Sequence, residues 1–124
     1  MIAVDSSSLI AYFNGDDGDD VEWLDQALAL KQAVLPPVVL TEILSDPVLD
    51  RAVANIIGDL PVLEVRSGFW VRAATTRARI LSKRLRARLA DTLIAQSCID
   101  NRTPLITRDG DFRHFSAHAG LDLL

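Results

Sequence analysis

Five acids occupy positions from which a chain could assemble a reactive site: Asp5, Glu42, Asp91, Asp109 and Asp111. Asp5 follows the apolar run Ile2-Ala3-Val4 and precedes Ser6-Ser7-Ser8. Glu42 interrupts the otherwise apolar stretch Val38 to Leu44. Asp91 comes just after the basic segment KRLRAR, Lys83 to Arg88. Asp109 and Asp111 flank Gly110, directly after Leu105-Ile106-Thr107. Clustered carboxylates suit a hard divalent cation, which takes oxygen ligands and keeps several waters. Such an ion makes a water nucleophilic and neutralises charge on a phosphate, both of which phosphodiester hydrolysis needs. A zinc set is missing from the pattern: His114 and His118 stand apart from other ligand types and read as surface residues of a C-terminal turn.

Each acid also has an ordinary reading. Asp5 could cap the helix after it, although three serines are available for that task. Glu42 faces either solvent, beside Thr41 and Ser45, or a metal, since glutamate is almost never buried unpaired. Asp91 could simply complement a helix N-terminus. Asp109-Gly110 could be a plain turn. Their arrangement is more informative than any one of them: of Asp5, Glu42, Asp91 and Asp109, three follow strands or open helices, and one interrupts an apolar helix.

The elements that must position them alternate between short apolar strands and helices. Ile2 to Val4 reads as a buried strand, and Leu9, Ile10, Tyr12 and Phe13 begin a helical face. Asn14 to Asp20, NGDDGDD, is a loop. It fails as an EF-hand, because Gly18 falls where a ligand is needed and Ala27 would be the twelfth position. Asp19 or Asp20 is the expected cap of a helix running to about Gln32. Ala33 to Leu35 is a second strand. Pro36 and Pro37 open a helix from Val38 to Ser45. A helix from Val48 to Ile57 is expected to end on Gly58. Pro61 to Val65 is a third strand candidate. Ser67 is the expected cap of a long helix to about Arg84, and a further helix runs from Ala90 to Asp100. Leu105 to Thr107 is a fourth strand, and Leu121 to Leu124 a short edge strand. The alternation predicts an α/β fold, a mostly parallel sheet with helices on both faces. Right-handed crossovers then bring all strand C-termini, and so Asp5 and Asp109, to one end.

The 124 residues suffice for one domain, 1–124, with an aliphatic core: 49% are apolar but only 6% aromatic. No apolar run reaches the ~18 residues needed to span a membrane, and no leader pattern opens the chain, so a soluble, cytoplasmic protein is expected. Cys98 lies in an apolar helical pattern and reads as a reduced core residue. Charge is divided along the chain. Residues 1–65 hold 12 acids and 2 bases; residues 66–124 hold 5 acids and 11 bases. The acidic half repels nucleic acid unless metal ions neutralise it, and the basic half suits a phosphate backbone. A mean hydropathy of +0.20 is high for so small a soluble chain. The helices near Leu9 to Phe13 and Val21 to Leu30 are therefore expected to line a groove for a partner or a dimer interface.

Four segments together, Asp5-Ser6-Ser7, Leu40-Thr41-Glu42-Ile43, Leu89 to Ala95 and Leu105 to Phe112, resemble PIN-domain nucleases in order and spacing. The nearest likeness is to VapC-type toxins of bacterial and archaeal type II toxin–antitoxin pairs. It covers essentially the whole chain, and D-x-L-I-A followed by L-I-T-R-D is its most specific part. The resemblance implies a PIN-like three-layer sandwich and a Mg²⁺- or Mn²⁺-dependent endoribonuclease, often a homodimer, silenced by a small antitoxin. It maps the acidic site to Asp5, Glu42, Asp91 and Asp109, with Ser6, Thr107 and Asp111 in support. Arg84, Arg86, Arg88 and Arg108 flank those acids and are candidates to grip RNA phosphates, as are Lys83 and Arg113. The segment before Asp91 departs from the family in lacking glycine and being rich in arginine. A phosphoacceptor receiver is a poor match, because Asp5 has no acidic neighbour and the only lysines are Lys31 and Lys83. A haloacid-dehalogenase phosphatase would need a second aspartate where Ser7 stands. The alternative that keeps the fold is a non-catalytic RNA- or protein-binding module, against which the intact acids speak.

Overall fold

The computed structural model describes the whole chain, residues 1–124. Three short parallel strands, β1 (Ile2–Val4), β2 (Ala33–Val34) and β3 (Leu105–Ile106), lie in the order β2-β1-β3. Ile2 pairs with Ala33 and Ala3 with Val34 on one side; Ala3 pairs with Leu105 and Val4 with Ile106 on the other. Ala3, Val4, Ala33, Val34, Leu105 and Ile106 are buried, which explains why each strand is a short unbroken apolar run rather than an alternating one.

Seven helices surround this sheet: α1 (Ser6–Phe13), α2 (Asp19–Ala29), α3 (Pro37–Leu44), α4 (Arg51–Asp59), α5 (Phe69–Ser82), α6 (Leu89–Asp100) and α7 (Arg113–Ala119). The step from β1 to β2 goes one way across the sheet, and the step from β2 to β3 goes back over β1. Crossovers of one hand therefore put the connecting helices on opposite faces. The reversal leaves a crevice between the C-terminal ends of β1 and β3, the place where open parallel sheets hold ligands. Beneath it, Leu9, Leu24, Val39, Ile80, Ile94, Phe112 and Phe115 form the core at 0 to 1% exposure. Cys98 joins them, and burial pushes its thiol pKa up to about 12, so it stays an inert thiol. No helix is long and apolar enough to cross a membrane.

Several boundaries differ from the sequence reading. Pro61 to Val65 is not a strand: only Val62 bridges to Leu35. The Leu35 N–H donates to the Pro61 carbonyl and the Leu63 N–H to the Leu35 carbonyl, after which the segment leaves the sheet. Leu121 to Leu124 likewise contributes one bridge, Leu123 to Leu105. Helix α4 starts at Arg51, because the Asp50 side chain caps it at the Ala52 N–H, 2.7 Å away. Gly58 lies inside that helix, which is ended by Leu60 and Pro61 instead. Helix α5 is opened by Gly68 at φ 81, not by a Ser67 side chain. Gly18, rather than Asp19 or Asp20, is the N-cap of α2.

Candidate active site

Asp5 follows β1 directly and caps α1, so the capping role weighed against catalysis is real, and it falls to Asp5 rather than to the serines. The cap brings order to the site. Asp5 is 5% exposed, and its Oδ2 accepts the Ser7 hydroxyl at 2.7 Å, the Thr107 hydroxyl at 3.0 Å and the Ser7 N–H at 3.4 Å. Thr107 Oγ1 in turn accepts the Asp109 N–H at 3.0 Å, and Asp109 Oδ1 accepts the Asp111 N–H at 2.9 Å. One hydrogen-bonded chain therefore runs from the end of β1 across to the turn after β3.

Glu42 comes from the exposed side of α3, and its Oε1 accepts the Ser6 hydroxyl at 2.7 Å. Asp91 lies in the first turn of α6, half-buried, with no protein partner on either oxygen. Burial, followed by the charges of Asp109, Asp5 and Glu42, raises its pKa to about 6, with Arg88 pulling the other way. The other three acids expected in the site thus all act on Asp91. Asp91, Asp109 and Asp111 come closest, with one carboxylate oxygen from each lying within 4.8 Å of the others. Asp111, expected only in support, belongs to this triplet, whereas Asp5 and Glu42 do not. The donor set is wholly oxygen, with no histidine or thiol, and suits a hard divalent cation.

Among the basic residues expected to meet RNA, Arg84, Arg86 and Arg88 are exposed on the segment leading into α6. The guanidinium of Arg86 approaches Asp111 to 3.6 Å. Arg108 is differently engaged: its Nε and Nη2 lie 2.8 and 3.0 Å from the two carboxylate oxygens of Asp20. Lys83 and Arg113 are exposed, and His114 and His118 lie on α7 rather than in a turn. Sequence reasoning missed Ser7, which bridges Asp5, Thr107 and the Arg108 N–H. Its position two after an aspartate that ends a strand was the available signal, since that spacing makes an Asx-type turn.

A groove of about 290 Å³ opens beside Glu42, between α1, α3 and the start of α4, lined by Ile10, Phe13, Ile43, Val48 and Val53 among others. Ile10 and Phe13 of α1 line it, and α2, with its exposed Trp23, contributes no residue.

The family model described as PIN domain matches residues 2–117. No curated protein matches the chain. Among solved structures, the chain is similar to VapBC2 from Rickettsia felis bound to a promoter DNA fragment, at 16% identity and a TM-score of 0.75, covering 100% of this chain and 98% of that one. VapBC-5 from Mycobacterium tuberculosis, of the VapBC family of toxin–antitoxin systems, gives 20% identity and a TM-score of 0.69 over 99% and 96% of the two chains. FitAcB from Neisseria gonorrhoeae gives 18% and 0.70 over 100% and 96%. At these identities the likeness is one of fold.

Proposed function

The chain belongs to the PIN-domain family, and on that premise we propose that it is a metal-dependent endoribonuclease, the toxin of a toxin–antitoxin pair acting in the cytoplasm. One observation carries the reading: carboxylate oxygens of Asp91, Asp109 and Asp111 lie within 4.8 Å of one another, with Asp5 and Glu42 close enough to raise the Asp91 pKa. Carboxylates are not crowded like this without cost unless a cation relieves the repulsion.

The residues to hold Mg²⁺ or Mn²⁺ are Asp5, Glu42, Asp91 and Asp109, with Asp111 beside them. Bound there, the ion supplies Lewis-acid charge for the phosphate and lowers the pKa of a water. The chain does the orienting. Ser7 and Thr107 fix one oxygen of Asp5, Ser6 fixes one of Glu42, and the Asp111 N–H fixes one of Asp109. Each acid keeps its other oxygen free toward a ligand. Arg84, Arg86 and Arg88 receive the phosphates that flank the cut bond. Their charges offset the acids that would otherwise repel RNA.

The partner proposed is an antitoxin whose apolar residues enter the groove beside Glu42; two of the similar structures are VapBC complexes. A homodimer is also proposed, for which Trp70 and Val71 on α5 stand exposed at 65 and 73%. The test is cleavage of total RNA by purified protein with Mg²⁺, without it, and with EDTA. Cleavage that needs the ion supports the reading. Retention of RNA without cleavage under every condition makes the protein a non-catalytic binding module.

A further inference from the structure

We propose that Arg108 is a positioning residue rather than an RNA contact, and that its ion pair with Asp20 is the clamp that sets the carboxylates at the end of β3. The inference rests on the metal-site reading and assigns a role within it. Along extended backbone, successive side chains point to opposite sides. Thr107 and Asp109 face the site, where Thr107 holds Asp5 and Asp109 lies near Asp91. Arg108, between them, is directed the other way, toward α2 and the loop that precedes it. There its guanidinium grips both oxygens of Asp20 and, through Nη2, the Asp17 carbonyl at 3.0 Å. Asp20 is 9% exposed and also accepts the buried Ser8 hydroxyl at 2.8 Å. Bidentate pairs of this type fix geometry as well as attract.

The acidic loop after α1 is shaped to this pair. Gly18 has φ 146, and a Cβ there would lie 2.6 Å from Asp20 Oδ1 and 3.0 Å from Arg108 Nη2. On its main-chain side, the Arg108 N–H donates to Ser7 Oγ at 3.3 Å, and that hydroxyl also binds Asp5. The turn after β3 carries mutually repelling acids, and it is braced from both sides of this one residue. Groups that orient ligands from behind typically change metal affinity or activity by about 10- to 100-fold when removed.

The experiment compares wild type with Arg108→Met, Arg108→Lys, Asp20→Asn and the Arg108→Met/Asp20→Asn double variant. Mg²⁺ affinity is measured by calorimetry without RNA, kcat and KM on an RNA substrate, and Tm by melting. The clamp predicts that Arg108→Met and Asp20→Asn each weaken Mg²⁺ by roughly tenfold and lower kcat while KM holds. The double variant should be no worse than the poorer single, because both break one pair. Arg108→Lys should recover part of the loss. A raised KM with unchanged kcat in Arg108→Met but not in Asp20→Asn would make Arg108 an RNA contact and overturn the proposal. So would a fall in Tm with unchanged Mg²⁺ affinity in both. If Arg108→Met does not fold, the near-isosteric Asp20→Asn decides by the same readouts. A wild type that binds Mg²⁺ yet cuts no RNA overturns the nuclease reading, and the Mg²⁺ affinities alone then decide the clamp.

Discussion

Asp5, Glu42 and Asp109 each give one carboxylate oxygen to the protein and keep the other free, whereas Asp91 gives neither. Asp91 is therefore the acid held least by hydrogen bonds, and burial, followed by its neighbours' charges, puts its folded pKa at about 6, above its ordinary 3.8. An acid with a raised folded pKa destabilises the fold; the penalty is full above the folded pKa, shrinks between the two values and is gone below the unfolded one. In metal-free protein at pH 7.5, Asp91→Asn should therefore raise stability, by about 1 kcal/mol after discounting for its half-exposed position. The gain should shrink as pH falls from 6 and vanish below about 4, and melts across that range check it. In the same variant, and in Asp5→Asn, Mg²⁺-dependent RNA cleavage should be lost with the fold retained, as gel assays and circular dichroism would register. Full activity in either folded variant would remove that acid from the site. The placement of Asp5, Asp91 and Asp109 was legible in the sequence because a strand end or a helix start fixes where a side chain can go, and Glu42 stood out as the one acid in an apolar helix. Ser7 was not, because Ser6, Ser7 and Ser8 are alike as sequence. The fold sends Ser6 to Glu42, Ser7 to Asp5 and Ser8 to Asp20.

Helices α5 and α6 form the most extensive helix pair, and their polar contacts decide how α6 presents Asp91. Arg72 donates through Nε and Nη2 to both oxygens of Asp100, at 3.0 and 2.6 Å, and through Nη1 to the Ser67 carbonyl. Gln96 donates to the same carboxylate and accepts the buried Thr76 hydroxyl at 2.6 Å. The Arg72 hydrogen bond is the main cause that lowers the Asp100 pKa. Its stabilisation is present above the unfolded pKa and is lost as pH falls through the lower folded one. Asp100→Ala should thus lower Tm by several degrees at neutral pH, and the gap to wild type should close at acid pH. A gap that persists unchanged at pH 2 would assign the loss to packing instead. Gly68 opens α5 at φ 81, and a Cβ there would lie 2.6 Å from Arg72 Nη1. Gly68→Ala should cost about 1–2 kcal/mol for the left-handed backbone alone, which chemical denaturation would measure. Long elements with a clear helical period were legible to within a few residues, α6 being expected from Ala90 and found from Leu89. The strand expected at Pro61 to Val65 was not real, because an apolar run says nothing about whether a partner edge is there to pair with. The start of α5 was misjudged for a related reason: its cap is a backbone conformation supported by Arg72, and that contact is invisible locally.

At the scale of the molecule, the acidic and basic halves of the sequence meet at one site. Arg86 lies 3.6 Å from Asp111, and the charge of Arg88 tempers the raised pKa of Asp91. Attraction for the phosphate backbone and repulsion from the acids are thus built side by side, and ionic strength separates them. Each phosphate contact by a cation releases counterion, so log K falls with log salt by about 0.7 per contact on single-stranded RNA. Three substitutions on the exposed segment before α6 test this without disturbing the core. Arg84 has φ 60, so asparagine, which tolerates that conformation, replaces it better than alanine; Arg86→Ala and Arg88→Ala complete the set. Fluorescence anisotropy with a labelled RNA, in EDTA to prevent cleavage, gives affinity against KCl concentration. The triple variant should bind more weakly at low salt and show a slope shallower by about 2. Arg108→Met should leave the slope as in wild type, since its guanidinium is held by Asp20. A triple variant with the wild-type slope would mean that the basic segment only balances the acids, and that RNA is gripped elsewhere on the surface.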